Sequence, residues 1–84
     1  MFEIFLGRLG TDLPLPAKGR AGDAAIDLPA SDGGVIPARQ RRLVSTGFGI
    51  ALPENSCGLV LSRSGLALEH GVVVLNAPGL IDSG

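Results

Sequence analysis

Two carboxylates, an arginine–serine pair and an asparagine are the residues of this chain best suited to build a reactive site. Asp82 stands in "LIDSG", an Asp-Ser-Gly turn sequence. In such a turn the carboxylate bonds nearby backbone amides, but held at a strand end it can also orient and deprotonate a water. Asp27, in "DAAIDLPA", has the same two readings. It is either a turn residue at a strand end or an acid that holds a divalent cation through water, since Mg²⁺ keeps much of its hydration shell. Arg63, Ser64 and Gly65 set a guanidinium, a hydroxyl and an exposed backbone amide side by side. That set suits phosphate oxygens, although the tripeptide by itself is commonplace. Asn76, ahead of Ala77-Pro78-Gly79, either offers its amide to a base edge or caps a turn.

The remaining reactive types carry less. His70 is the single histidine and lies between Glu69 and Gly71, so it reads as a structural hydrogen-bonding residue. Cys57 has no second cysteine with which to form an intrachain disulfide or a cysteine-rich zinc site. Arg39, Arg41 and Arg42 read as a solvated face at a strand start. There is no phosphate-binding Gly-x-x-x-x-Gly-Lys loop, no Gly-x-Ser-x-Gly elbow and no pair of histidines at metal spacing.

Short strands must position these groups. Thirteen Gly and six Pro leave few windows long enough for a helix. Residues 2–6 alternate around Glu3 and predict a first strand, and residues 11–20, with Pro14, Pro16 and Gly19, predict a loop. A brief strand is expected over residues 25–28, carrying Asp27 at its end before Pro29. Residues 42–52 and 58–62 predict two strands joined as a hairpin through Pro-Glu-Asn-Ser. Residues 64–70 have the composition for one or two helical turns between Gly65 and Gly71. Val72 to Leu75 and Leu80–Ile81 are further short β-branched or apolar runs. This pattern predicts an all-β sandwich or barrel-like sheet with at most one short helix.

Composition narrows the function classes. A chain of 84 residues hides only about 60–65% of its unfolded surface and supports one small core. With three Phe and no Trp or Tyr, that core must be filled by Leu, Val, Ile and Ala. The net charge of −1 lacks the basic excess expected of a nucleic-acid or anionic-membrane binder. The opening "MFEIFLGRLG" is interrupted by Glu3 and Arg8, and no apolar run approaches membrane-spanning length. The expectation is a soluble cytoplasmic protein with neither nucleic acid nor membrane as partner.

The blocks "DAAIDLPA" at 23–30, "SRSGLALEHG" at 62–71 and "NAPGLIDS" at 76–83 occur in an order that resembles the trimeric dUTP nucleotidohydrolase (dUTPase) family. They are similar to the first three of that family's five motifs, Asp-Ala-Gly-x-Asp-Leu, Pro-Arg-Ser-Gly-Leu-Ala and Gly-x-Ile-Asp-x-x-Tyr. The strand "LVSTGFGIALPE" at 43–54 resembles the lead-in to the second motif. The resemblance implies a dUTPase-like jelly roll, or β-clip, and a homotrimer whose active sites are shared between subunits. It implies hydrolysis of dUTP to dUMP and pyrophosphate with Mg²⁺. Carried over by residue, Asp82 is the catalytic base for the water attacking the α-phosphorus, and Asp27 positions the hydrated Mg²⁺. Arg63, Ser64 and Gly65 bind the phosphate chain, Asn76 reads the uracil edge, and the backbone through Gly79 shapes the pocket.

Ala25 stands where the family usually has Gly, and Ser62 where it often has Pro. The Tyr and Arg-Gly-Glu that follow the third motif, and the fourth and fifth motifs, have no counterpart in these residues. The expectation is therefore one partial domain over residues 1–84, truncated, poorly stable and inactive alone. The alternatives are a dCTP deaminase-like enzyme, which resembles dUTPase in its Arg-Ser and Ile-Asp blocks, and a non-catalytic fragment that binds nucleotide or oligomerises.

Overall fold

The computed structural model describes residues 4–84, which carry four short strands and one helix. They are β1 (Phe5–Arg8), β2 (Phe48–Ala51), β3 (Gly58–Val60), α1 (Ser64–His70) and β4 (Gly79–Ile81). The composition is thus mostly β with one short helix, as the glycine and proline spacing predicts, but the strands form two separate two-stranded sheets, β1 with β2 and β3 with β4. By their internal contacts the described residues divide into two units, residues 6–50 and residues 51–84 together with Ile4 and Phe5.

The second unit is built on the antiparallel β3–β4 ladder, with Gly58 opposite Ile81, Leu59 opposite Leu80 and Val60 opposite Gly79. Side chains alternate across the two faces of a ladder. One face therefore sets a glycine against a branched residue at each end, and these four positions are half-buried. Leu52 closes over this face. Its Cδ1 stands 3.2 Å from where a Cβ on Gly58 would lie, with Ile81 Cβ at 3.5 Å from the same point. Leu52, at 8% exposure, is the buried apolar residue among those described. The Leu52 carbonyl accepts a hydrogen bond from the Gly84 amide at 3.0 Å, which draws the segment after β4 alongside the residues that lead into β3. The opposite face carries Leu59 and Leu80, which remain 57% and 64% exposed.

Helix α1 ends as its sequence dictates. Gly71 adopts the left-handed conformation at φ 65°, and its N–H bonds the Ala67 carbonyl while the Val72 N–H bonds that of Leu66. This is the glycine C-terminal cap that satisfies the last carbonyls of a helix. The helix buries none of its residues, so its stability comes from the cap and its neighbours in the loop rather than from a packed face.

In the first unit β1 and β2 are continued by a hydrogen bond from the Leu9 amide to the Gly47 carbonyl at 2.7 Å. The link from Ser31 to Ser45 is doubled, the Ser31 amide and hydroxyl both donating to the Ser45 carbonyl. Between them lies Gly47 at φ 80°, where a Cβ would stand 2.7 Å from Thr11 Cβ and Cγ2. In the native protein Gly47→Ala is accordingly expected to cost about 1–3 kcal/mol, combining left-handed strain with the clash on Thr11. Amide hydrogen exchange at Leu9 and Ser31 should accelerate in the variant, and unchanged protection at both would contradict the account.

The observed elements differ from several of those expected. Of the expected strand 2–6, residues 2 and 3 lie outside the described residues, and the strand observed begins at Phe5 and runs to Arg8. Residues 25–28 form no strand, and Asp27 lies in an irregular exposed stretch. The strand expected over 42–52 is confined to Phe48–Ala51, and that over 58–62 to Gly58–Val60. The hairpin between them is absent because β2 pairs with β1 and β3 with β4. Pro53 offers no N–H to a ladder, and Asn55 turns the chain at φ 60°. Val72 to Leu75 is likewise not a strand, whereas Leu80–Ile81 is part of β4. The three arginines are exposed but do not start a strand: Arg39 lies in the turn closed by Gln40 N–H to the Pro37 carbonyl, and the Arg42 guanidinium covers Gly34. No helix among the described residues is long and apolar enough to cross a membrane.

Candidate functional site

The β3–β4 ladder and the loop joining its strands carry most of the expected site residues. Val60 ends β3, and residues 61–63 lead directly into α1, with Arg63 as its extended N-terminal cap residue at φ −85° and ψ 128°. The Arg63 carbonyl accepts the Ala67 amide at 3.0 Å, which anchors this residue to the first helical turn. No side-chain hydrogen bond caps the helix. Arg63, Ser64 and Gly65 are exposed together on this turn. Beyond its chain neighbours and the backbone of its own helix, nothing lies within 4 Å of where a Gly65 Cβ would be, so no other part of the unit covers this residue.

After Gly71 the chain returns toward β3. The Val74 amide donates to Ser62 Oγ at 2.9 Å, and the Val74 carbonyl accepts from the Ala77 amide at 3.1 Å. The second bond closes the tight turn on which Asn76 is exposed. Gly79 follows and pairs with Val60. A Cβ on Gly79 would meet Val60 Cβ at 3.4 Å and the Asn76 amide nitrogen at 3.5 Å, so the absence of a side chain there keeps space beside that amide.

Register decides the rest. Arg63 follows the C-terminal end of β3, and Asn76 precedes the start of β4, which in an antiparallel pair is the same end of the ladder. Asp82 follows the last residue of β4 and therefore lies at the other end, beside the approach to β3. Gly79 and Asp82 are three residues apart, about 10 Å along a strand. The ladder thus groups Arg63, Ser64, Gly65, Asn76 and Gly79 at one end and sets the exposed Asp82 carboxylate at the opposite one. Asp27 belongs to the first unit and is exposed. Both Asp27 and Arg63 are engaged in non-covalent interactions.

The donor chemistry for a divalent cation can be tested against these residues. Among the described residues no three His, Cys, Asp or Glu side chains come together as a metal site. A protein-only cage for a resident ion is therefore not what this donor set offers. A single carboxylate fits the mode in which Mg²⁺ arrives with phosphate oxygens and retains its waters. His70 is exposed, with Nε2 at 4.0 Å from the adjacent Glu69 carboxylate.

Reasoning from sequence missed Ser62 as a participant. Its side chain appears there only as a departure from a motif, whereas its hydroxyl is the acceptor that joins two parts of the loop twelve residues apart. A hydroxyl directly before the Arg-Ser pair was the available signal, but its partner is remote in sequence.

The dUTPase family model matches residues 11–84. Among curated relatives, the deoxyuridine 5'-triphosphate nucleotidohydrolase of Corynebacterium glutamicum is 49% identical over 80 residues, covering 95% of this chain and 54% of the relative. The enzyme of the same name from Rhodococcus erythropolis is 46% identical over 82 residues, covering 98% of this chain and 50% of its own. That from Mycobacterium marinum is 47% identical over 77 residues, covering 92% and 50% respectively. The chain spans about half the length of the curated relatives it matches.

Proposed function

Because this chain belongs to the dUTPase family, we propose that it supplies part of the active site of a dUTP diphosphatase, which hydrolyses dUTP to dUMP and pyrophosphate. The observation that carries the reading is the family match over residues 11–84, which takes in all three motif-like blocks. The deaminase alternative has no comparable observation in its favour.

In this reading Asp82 accepts a proton from a water as that oxygen bonds to the α-phosphorus, and the bond from the α-phosphorus to the bridging oxygen breaks to release pyrophosphate. Charge accumulates on the departing phosphates, where the Arg63 guanidinium, the Ser64 hydroxyl and the Gly65 amide are suited to receive it. Uracil presents an N–H between two carbonyls, and the Asn76 side-chain amide can accept from the first and donate to the second. Space left by Gly79 lets the base approach that amide. When bound, Mg²⁺ supplies neutralisation of the triphosphate charge, and Asp27 is assigned to accept hydrogen bonds from its waters. We place the reaction in the cytoplasm.

A homotrimer with shared sites is the assembly the family implies. A complete site needs these groups within contact distance of one nucleotide, because displacement at phosphorus depends on positioning. Turnover of dUTP by the native protein in heavy-oxygen water tests the reaction. The label is expected in dUMP, with pyrophosphate unlabelled. Label in pyrophosphate, or release of ammonia from dCTP instead, would refute attack at the α-phosphorus of dUTP.

A further inference from the structure

We propose that Asp32–Gly33 is a site of spontaneous covalent modification, at which Asp32 of the folded protein passes through a cyclic imide to isoaspartate. Of the aspartates at 12, 23, 27, 32 and 82, Asp32 alone precedes a glycine. The step needs the amide nitrogen of the next residue to reach the aspartyl Cγ, and a side chain on that residue would crowd the approach. Beyond its chain neighbours, nothing lies within 4 Å of where a Gly33 Cβ would be. Asp32 and Gly33 are both exposed, and among the described residues neither takes a hydrogen-bond or ion-pair partner. The other aspartates are held or hindered. The Asp23 carboxylate accepts the Arg20 amide at 2.9 Å, and the Leu13 amide beside Asp12 donates to Thr11 Oγ at 3.2 Å. Leu28 and Ser83 follow Asp27 and Asp82.

In the reaction the Gly33 nitrogen bonds to Asp32 Cγ, and the carboxyl O–H leaves with the amide proton as water, closing a succinimide ring. Water then opens the ring at either carbonyl. Opening at the former main-chain carbonyl leaves the chain running through Cβ and Cγ, with a methylene added to the backbone and a free carboxylate on Cα. Mass and charge are unchanged. The Arg42 guanidinium lies over Gly34, the residue after the attacking nitrogen's own, and a cation so placed favours loss of the amide proton. On the other side Ser31 is fastened through its amide and hydroxyl to the Ser45 carbonyl. The added methylene therefore enters a short span between Ser31 and the covered Gly34, and its extra length loosens the Ser31–Ser45 link.

The test incubates the folded native protein at neutral pH in heavy-oxygen water, alongside Gly33→Ala and Asp32→Glu. Trypsin in ordinary water then releases residues 21–39, which lie between Arg20 and the bond after Arg39. The peptide is resolved by chromatography and its backbone fragmented to place the isomerised residue. A second peak of the same sequence is expected to grow with time, carrying one heavy oxygen and isoaspartate at position 32, with Asp23 and Asp27 unaltered. Both variants are expected to lose that peak, Gly33→Ala because a methyl crowds the nitrogen and Asp32→Glu because its longer side chain must close a larger ring. Amide exchange at Ser31 should be faster in the isoaspartyl fraction than in the parent. Absence of the peak from the folded protein, its growth at the parent rate in Gly33→Ala, or equal isomerisation at Asp23 or Asp27 overturns the proposal. Unchanged exchange at Ser31 overturns the predicted loosening.

Discussion

Asp82→Asn is expected to lower dUTP turnover by the native protein about 10²- to 10⁴-fold, the range spanned by loss of a positioned general base. Asparagine matches the carboxylate in size and can still hydrogen-bond water, but it cannot take the proton as the oxygen attacks phosphorus. The residue follows β4 directly, and the Gly84 amide bonded to the Leu52 carbonyl holds the backbone just beyond it. The isosteric change should therefore not displace the strand end. Affinity for a non-hydrolysable dUTP analogue is expected to stay within a few-fold, so that kcat falls and binding does not. Asp32→Asn, at an exposed carboxylate with no assigned part in the hydrolysis, serves as the control and should retain turnover. A kcat for Asp82→Asn within about threefold of the parent would remove Asp82 from the role of base.

The 84-residue chain purified alone is expected to melt without a sharp transition, bind a fluorescent apolar dye, self-associate on size exclusion and show no dUTP hydrolysis. Burying one large apolar side chain stabilises by about 1.5–3 kcal/mol, whereas ordering each residue's backbone costs about 1–2 kcal/mol. Among the described residues only Leu52 is buried, while Leu43 and Leu68 stay 95% and 87% exposed. On the ladder face away from Leu52, the paired Leu59 and Leu80 form an uncovered apolar strip. Two-stranded sheets of three or four residues are marginal in water unless a further layer covers them. The regular strands of the described residues form only such sheets. A cooperative melt at monomeric mass, or measurable turnover by the chain alone, would contradict this expectation.

Legibility in the sequence followed the range of the interactions. Helix α1 occupies the residues its composition marks, 64–70, because good helix formers lie ahead of a glycine that can take the left-handed cap. Leu80–Ile81 was visible as a short apolar run and is strand. The Pro-Glu-Asn-Ser connection between residues 42–52 and 58–62 resembles a hairpin turn locally, yet the partners of both strands lie elsewhere. Residues 25–28 looked like a strand by their apolar content, but an isolated run of four has no ladder unless another segment supplies one, and none does.

The family, the residue types available for phosphate and base recognition, and the local turns that carry Arg63, Asn76 and Asp82 are all readable from the residues alone. Those features depend on side-chain chemistry and on backbone preferences within a few residues. The pairing of β3 with β4, the register that separates Asp82 from the Arg63–Asn76 end, and the bond between Ser62 and Val74 come from the folded chain. The β3–β4 pairing and the Ser62–Val74 bond each join segments twelve or more residues apart. Which distant N–H meets which acceptor is selected by the packing of the whole unit, as Leu52 over Gly58 and Ile81 illustrates, and no short window of residues encodes that choice.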